Sequence, residues 1–470
     1  MSWRVAGFTV AGAIAFVAAV ATVLQLTVGL PWGIGVGEPV TPKPLMATTA
    51  PPAVQLQPAP VVLDATVPTP ATGATGIDEV LDPLIGATAL GGQVGATVVD
   101  LADGSVAYAT DATAAYTPAS TLKILTTAAA LEVLGHEHTF ATKVVTPAPG
   151  LSTSAPSTPI TLVGGGDPTL TGSDTPGATR LTDLADATAT ALGNSSITSV
   201  ELTFDDALFS GPAIDPDWKP DYVPSGVVSP VSALAVDGGR TSPDSSSRSD
   251  DPARAAATDF AAMLTERGIS VDAEPDRAAA SAGAVDVASV RSASLGSIVE
   301  HVLDVSDNDA AEVLARHVAL GSGRSGTSAD AGAAVTETLT GLGVDLSGAT
   351  ILDGSGLARE SEISAAALAG TLALAADEAH PQLRPVISGL PVAGFTGTLD
   401  DRFDDDAGAG IVRAKTGTLT GVSTLAGVTV SADGTPYAFA VLADEVQNTS
   451  AARSALDDVA TAIATCRCGL

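Results

Sequence analysis

The sequence predicts an α+β fold: an antiparallel sheet flanked by helices, its chain interrupted by a β-rich insertion. Three observations predict it. Strand patterns stand at both ends of the globular part, with Gly91–Thr110 alternating around Ala102-Asp103-Gly104, and Gly410–Thr416, Val422–Val430 and Pro436–Leu442 following late. Apolar residues recur at helical spacing in Ser120–Leu134, Leu295–Val305, Ala310–Leu320 and Ser450–Thr465. Between about residues 140 and 290 the character changes to short strands (ATKVVTP, PITLVGG, SVELTFDD) among Pro- and Ser-rich connections.

Taken in order, Val5–Leu30 is apolar apart from Thr9, Thr22, Gln25 and Thr27. That length suffices to cross a bilayer. Arg4 precedes the run, and Glu38 and Lys43 follow it, a charge order that places the N-terminus inside and the remainder outside. An uncleaved membrane anchor is favoured over a signal segment cut near Ala19-Val20-Ala21. Residues 31–76 are rich in Pro, Ala, Thr and Val and read as an extended spacer, because repeated prolines deny both helix and sheet. The chain therefore divides into an anchor or signal segment (1–30), a linker (31–76), a globular domain (77–140 and 291–470) and one or two inserted modules (141–290). Within the insertion Asp251–Gly268 has helical spacing and a Gly stop. Gly321–Gly326 satisfies G-x-G-x-x-G, but it follows a helix where a dinucleotide site needs a strand, so it reads as a helix–helix loop.

Composition excludes several functions. The 470 residues carry a net charge of −32, and that field repels nucleic acid. Aromatic residues are only 3% of the chain, so the core must be built from Ala, Val and Leu. Cys466 and Cys468 are too few for a structural zinc site and too close for a C-x-x-C pair; they form a small strained disulfide or stay free. None of the five histidines has a supporting motif, and G-x-S-x-G and H-E-x-x-H are both absent. His136 and His138 read as solvated loop residues, and Asp400–Asp406 lacks the spacing of a calcium loop. No metal and no cofactor is expected.

The chemistry lies in three clusters. Ser120 starts a predicted amphipathic helix, where outward-pointing N–H groups favour developing negative charge, and Lys123 falls on the same face. A serine beside a lysine can be activated without histidine. Ser306-Asp307-Asn308 lies between two predicted helices, where Asn308 by itself would be a helix cap. Lys415-Thr416-Gly417-Thr418 ends a strand. Each is unremarkable alone. In the order S-x-x-K, S-D-N, K-T-G, each in a fitting element, they are the signature of serine acyl-transferases that act on penicillins and D-alanyl peptides.

From Ile77 onward the sequence resembles the low-molecular-mass class C penicillin-binding proteins, the D-alanyl-D-alanine carboxypeptidase/endopeptidase family. Gly164–Leu170 (GGGDPTL), Ser306–Leu314 (SDNDAAEVL), Asp353–Arg359 (DGSGLAR) and Gly397–Phe403 (GTLDDRF) also match that family's pattern. The long span from Lys123 to Ser306 fits its inserted domains. The resemblance implies a penicillin-binding/β-lactamase-like serine transpeptidase fold with an all-helical half. It implies an extracytoplasmic enzyme acting on peptidoglycan stem peptides through an acyl-enzyme, with D,D-crosslinks as a second substrate and β-lactams as inhibitors. Ser120 is then the nucleophile. Lys123, held neutral by burial and by Lys415, is the base. Ser306 relays a proton to the departing amine, and Asn308 binds the substrate amide. The N–H groups of Ser120 and Thr418 hold the oxyanion. Lys415, Thr416 and Thr418 receive the terminal carboxylate, and Gly417 leaves room for substrate backbone along the strand edge. Arg359 is a candidate for a carboxylate on the stem. Two rivals differ in class: a wall-associated scaffold that kept the fold, against which the complete set of motif residues argues, and a β-lactamase, which needs a water-activating group that the sequence does not identify.

Overall fold

The computed structural model describes residues 76–173, 178–242, 245–404 and 406–468. The proposed anchor at 1–30, and all of the linker except its last residue, lie outside the described residues. Among those described, no helix is long and apolar enough to cross a membrane.

The chain opens with α1 (Ile77–Ile85) and the hairpin β1 (Gln93–Asp100)–β2 (Val106–Thr110), followed by a 3₁₀ turn at Ala119–Thr121 that runs into α2 (Leu122–Leu134). Gly135 takes φ +84 and stops α2, as its sequence position predicts. Next come β3 (Ala141–Thr146), β4 (Thr158–Val163), α3 (Leu181–Asn194), β5 (Ser199–Asp205), α4 (Pro252–Glu266), the short β6 (Ser270–Val271) and β7 (Asp276–Arg277), and β8 (Val285–Arg291). Helices α5 (Leu295–Val305), α6 (Asn308–Gly321), α7 (Ser328–Gly341), α8 (Ala365–Ala376) and α9 (Arg384–Ser388) follow. Strands β9 (Arg413–Leu419), β10 (Val422–Val430) and β11 (Pro436–Asp444) and helix α10 (Thr449–Thr465) close the chain.

Two sheets result. The first has the order β2-β1-β11-β10-β9, with every pairing antiparallel, so the N-terminal hairpin joins the C-terminal strands and β9 is left at an edge. One face of it packs on α1 and α10, through Leu81, Phe439, Leu456 and Ile463 among others. The other packs on a helical layer in which Leu122, Leu125, Leu303, Leu314 and Leu368 are fully buried. The second sheet, β6-β5-β4-β3-β8, is mixed: β5 is parallel to β4, β6 and β7, and β3 is antiparallel to β4 and β8. Helices α3 and α4 cover it, with Leu184, Phe204 and Phe260 in its core.

Three readings shift. Helix α2 is not amphipathic: Leu122 through Leu131 are all buried, including Lys123, Thr126 and Thr127. A helix enclosed on every side belongs at the centre of a core. The two threonines are compatible with this because their hydroxyls donate to backbone carbonyls, Thr126 to Gly354 (2.7 Å) and Thr127 to Lys123 (2.6 Å). Helices α7 and α8 have no counterpart in the sequence reading; α8, AAALAGTLALAA, is apolar at nearly every position and shows no period. The strand expected at Gly410–Thr416 runs instead from Arg413 to Leu419, which places the whole K-T-G-T segment inside it. Cys466 and Cys468 are free and buried.

Candidate active site

Ser120 sits in the 3₁₀ turn that feeds α2, one residue after Ala119, which adopts φ +48. A non-glycine residue in the left-handed region is strained and persists only where its surroundings hold it. The holding contacts are on both sides. Pro118 O accepts from Thr121 Oγ1 (2.7 Å) and from Thr424 Oγ1 of β10 (2.9 Å). On the far side Gly356 approaches so closely that a Cβ there would lie 1.9 Å from Ala119 O.

Lys123 is fully buried, and its Nζ has three oxygen neighbours: Ser120 Oγ at 3.0 Å, Asn308 Oδ1 at 2.8 Å and Ser355 O at 2.7 Å. Two of these are carbonyl oxygens that only accept. The orientation of the Asn308 amide is fixed by its Nδ2, which donates to Val227 O (2.9 Å). A neutral amine has two N–H bonds and one lone pair, and this cage matches it: the N–H bonds point to the carbonyls and the lone pair is left for the Ser120 hydroxyl proton. Burial lowers the Lys123 pKa to about 8, against the opposing pull of Asp353, Glu312, Asp307 and Asp309. Lys415 is likewise buried and its pKa is lowered well below the usual lysine value, by burial first and by the Lys123 charge second. The main cause of the Lys123 shift is thus enclosure rather than the second lysine.

Ser306 ends α5 in the left-handed conformation (φ +60). The cap of α6 is Asp307, whose Oδ1 accepts from Ala310 N at 3.0 Å, so Asn308 does not cap the helix and its side chain is available to Lys123. Lys415 Nζ donates to Thr416 O (2.9 Å), and Thr416 Oγ1 donates to Thr398 Oγ1 (3.0 Å). Gly417 also has a structural reason for its missing side chain. A Cβ there would lie 2.1 Å from Thr424 Oγ1, 2.7 Å from Pro118 O and 3.1 Å from Ser120 N. Its missing side chain lets β9 close onto the nucleophile turn. Gly417→Ala is therefore expected to displace Ser120 and lower the acylation rate at least ~10-fold, since misplacement by about 1 Å costs that much or more; stopped-flow labelling with a fluorescent penicillin measures it.

Ser120, Ser306, Thr416 and Thr418 line one cleft of about 230 Å³. Its remaining walls are Thr398, Asp401, Arg402 and Arg453, none of them singled out in the sequence reading. Arg402 belongs to the GTLDDRF stretch, whose match carried no role; Arg453 lies on α10 with no motif around it. Among the described residues, no histidine lines the cleft. Arg359 stands apart from it: its carbonyl accepts from Thr117 Oγ1 (3.5 Å), its Nη1 is buried without a hydrogen bond, and its charge acts on Asp444 and Tyr222.

The loop that supplies Ser355 O is itself built on two buried carboxyls. Glu312 accepts from Gly354 N and Ser355 N (2.8 Å to the latter), and Asp353 accepts from Gly356 N (2.9 Å), Ala358 N (2.7 Å) and Trp218 Nε1 (3.0 Å). Burial, with the Asp353 charge beside it, pushes Glu312 up to about 8. Trp218 comes from the chain between β5 and α4. So do Val227 O and Arg248, which pairs with Asp309 of α6 (2.8 Å); Asp309 also accepts from Ser229 N (2.6 Å). Glu312→Ala should leave two buried N–H groups unpaired and cost about 2–4 kcal/mol, with Glu312→Gln much milder, in urea unfolding.

Comparison with known proteins identifies the family. A profile described as the D-Ala-D-Ala carboxypeptidase 3 (S13) family matches residues 77–249 and 243–463. Carboxypeptidase DacB of Mycolicibacterium smegmatis is 35% identical over 89% of this chain and 90% of its own length. A D-alanyl-D-alanine carboxypeptidase of Actinomadura sp. is 30% identical over 77% of this chain and 80% of its own length. Among solved structures, penicillin-binding protein 4 of Haemophilus influenzae superposes with a TM-score of 0.69 at 19% identity, covering 82% of this chain and 98% of that one, which bears out the expected fold. The chain belongs to the D-Ala-D-Ala carboxypeptidase 3 (S13) family and is a serine-type peptidase.

Proposed function

We propose that this protein removes the terminal D-alanine from peptidoglycan stem peptides outside the cytoplasm, through an acyl-enzyme on Ser120. The observation that carries this reading is the Lys123 cage, which suits an uncharged amine with its lone pair toward Ser120 Oγ. Ser120 Oγ attacks the carbonyl of the penultimate D-alanine while Lys123 takes its proton. The oxyanion is held by the N–H groups of Ser120 and Thr418. Ser306, which lines the same cleft, relays the proton to the departing amine. Asn308 Nδ2 and Oδ1 are both engaged within the protein, so its first role is to orient Lys123. Thr416 and Thr418 bind the terminal carboxylate, with Lys415 behind them. Arg359, with its unpaired buried Nη1, is assigned to a carboxyl further along the stem. Water then releases the acyl group.

The same constellation supports acylation by β-lactams, which present a strained amide and a carboxylate at similar spacing; the Haemophilus protein has been solved with one bound. Residues 77–140 and 291–470 form the catalytic domain, and 141–290 an inserted domain whose Trp218 and Val227 brace the site. Val5–Leu30 tethers the enzyme to the outer face of the membrane. Mass spectrometry of muropeptides before and after digestion tests the reaction: loss of a single D-alanine from pentapeptides is expected, and conversion of dimers to monomers would add endopeptidase activity. Unchanged muropeptides would contradict it.

A further inference from the structure

We propose that Arg453, on helix α10, is a specificity-determining residue that pairs with the terminal carboxylate of the substrate. This rests on the carboxypeptidase reading of the same cleft.

A peptide ending in a free carboxylate must enter the site of a chain whose net charge is −32. The global field opposes it, so the affinity has to come from a cation at the point of contact. Lys415 is poorly suited. It is fully buried, enclosure lowers its pKa well below the usual lysine value, and its Nζ already donates to Thr416 O. Two arginines, Arg402 and Arg453, line the cleft together with Thr416 and Thr418. Arg402 is committed: it grips Asp457 through Nε (3.2 Å) and Nη2 (2.5 Å) and also donates to Arg453 O (3.1 Å). Arg453 is different. It is exposed, and among the described residues no carboxylate pairs with it. Arg402 thereby steadies the backbone of α10 at Arg453, an exposed residue on the lining of the cleft. A guanidinium keeps its charge at every working pH and binds a carboxylate through two parallel N–H bonds, which two threonine hydroxyls alone do not replace.

The test uses the full chain and an N-acylated lysyl-D-alanyl-D-alanine whose only carboxylate is the terminal one, compared with its C-terminal carboxamide. Arg453→Ala should lower kcat/KM on the free acid by roughly 10- to 100-fold and on the carboxamide by less than about threefold, with Arg453→Lys recovering part of the loss. The residue is exposed, so an unchanged melting temperature should accompany the loss. Equal losses on acid and carboxamide, or wild-type kinetics of Arg453→Ala on the acid, would overturn the assignment. The two failures are distinguishable: an active wild type with an unaffected Arg453→Ala removes only the role of Arg453, whereas a wild type that neither cleaves the peptide nor is labelled by penicillin removes both.

Discussion

Ser120→Ala should yield a folded protein that no longer forms an acyl-enzyme, with D-alanine release falling by about 10⁶-fold, the scale seen when a serine nucleophile is removed. The fold has no reason to fail. The turn is held through Pro118 O, Thr121 and Thr424, and among the described residues the Ser120 hydroxyl is hydrogen-bonded to Lys123 Nζ alone. Binding should survive: the Ser120→Ala protein should still retain the peptide by calorimetry, because Thr416, Thr418 and the cleft walls are untouched. Residual acylation close to wild type would mean that another residue attacks.

Lys123→Met should slow acylation by about 10²–10⁴-fold, the usual worth of a positioned general base. Methionine keeps most of the volume, so the core around α2 should hold, although Ser355 O and Asn308 Oδ1 each lose a donor. The wild-type pH profile gives a second readout. Only the neutral amine can take the Ser120 proton, and its share grows as pH rises through the Lys123 pKa of about 8. Acylation should therefore accelerate from pH 6 and level off near pH 9, with an apparent midpoint about 8, and Lys123→Met should lose that limb. A flat wild-type profile between pH 6 and 9 would refute the assignment of Lys123 as base.

What the sequence made legible divides along physical lines. Local signals carried well. Leu295–Val305 was readable because its apolar residues fall on one face, and the helix stops at Gly135 and Gly268 because glycine alone takes those backbone angles easily. Ser120, Lys123, Ser306, Asn308, Thr416 and Thr418 were readable as three short motifs, and the structure places all of them in or against one cleft. Interactions made by distant single residues were not. Glu312 and Asp353 each lie inside a matched stretch, yet nothing local says that they bind the loop whose carbonyl faces Lys123. Trp218 and Val227 come from a segment without period, and Arg453 from the surface of a helix whose own pattern speaks only for burial against the sheet. Gly417 shows the same limit: its identity was readable, but the reason for it, the approach of Pro118 and Ser120, exists only in three dimensions.

The central claim is that Ser120 is the atom donor to the acyl-enzyme, and its most direct measurement is mass spectrometry of the full chain after incubation with benzylpenicillin. The account predicts a single adduct of the intact drug's mass, mapped after proteolysis to the peptide that contains Ser120. An adduct on any other residue, or none with folded protein, would contradict it.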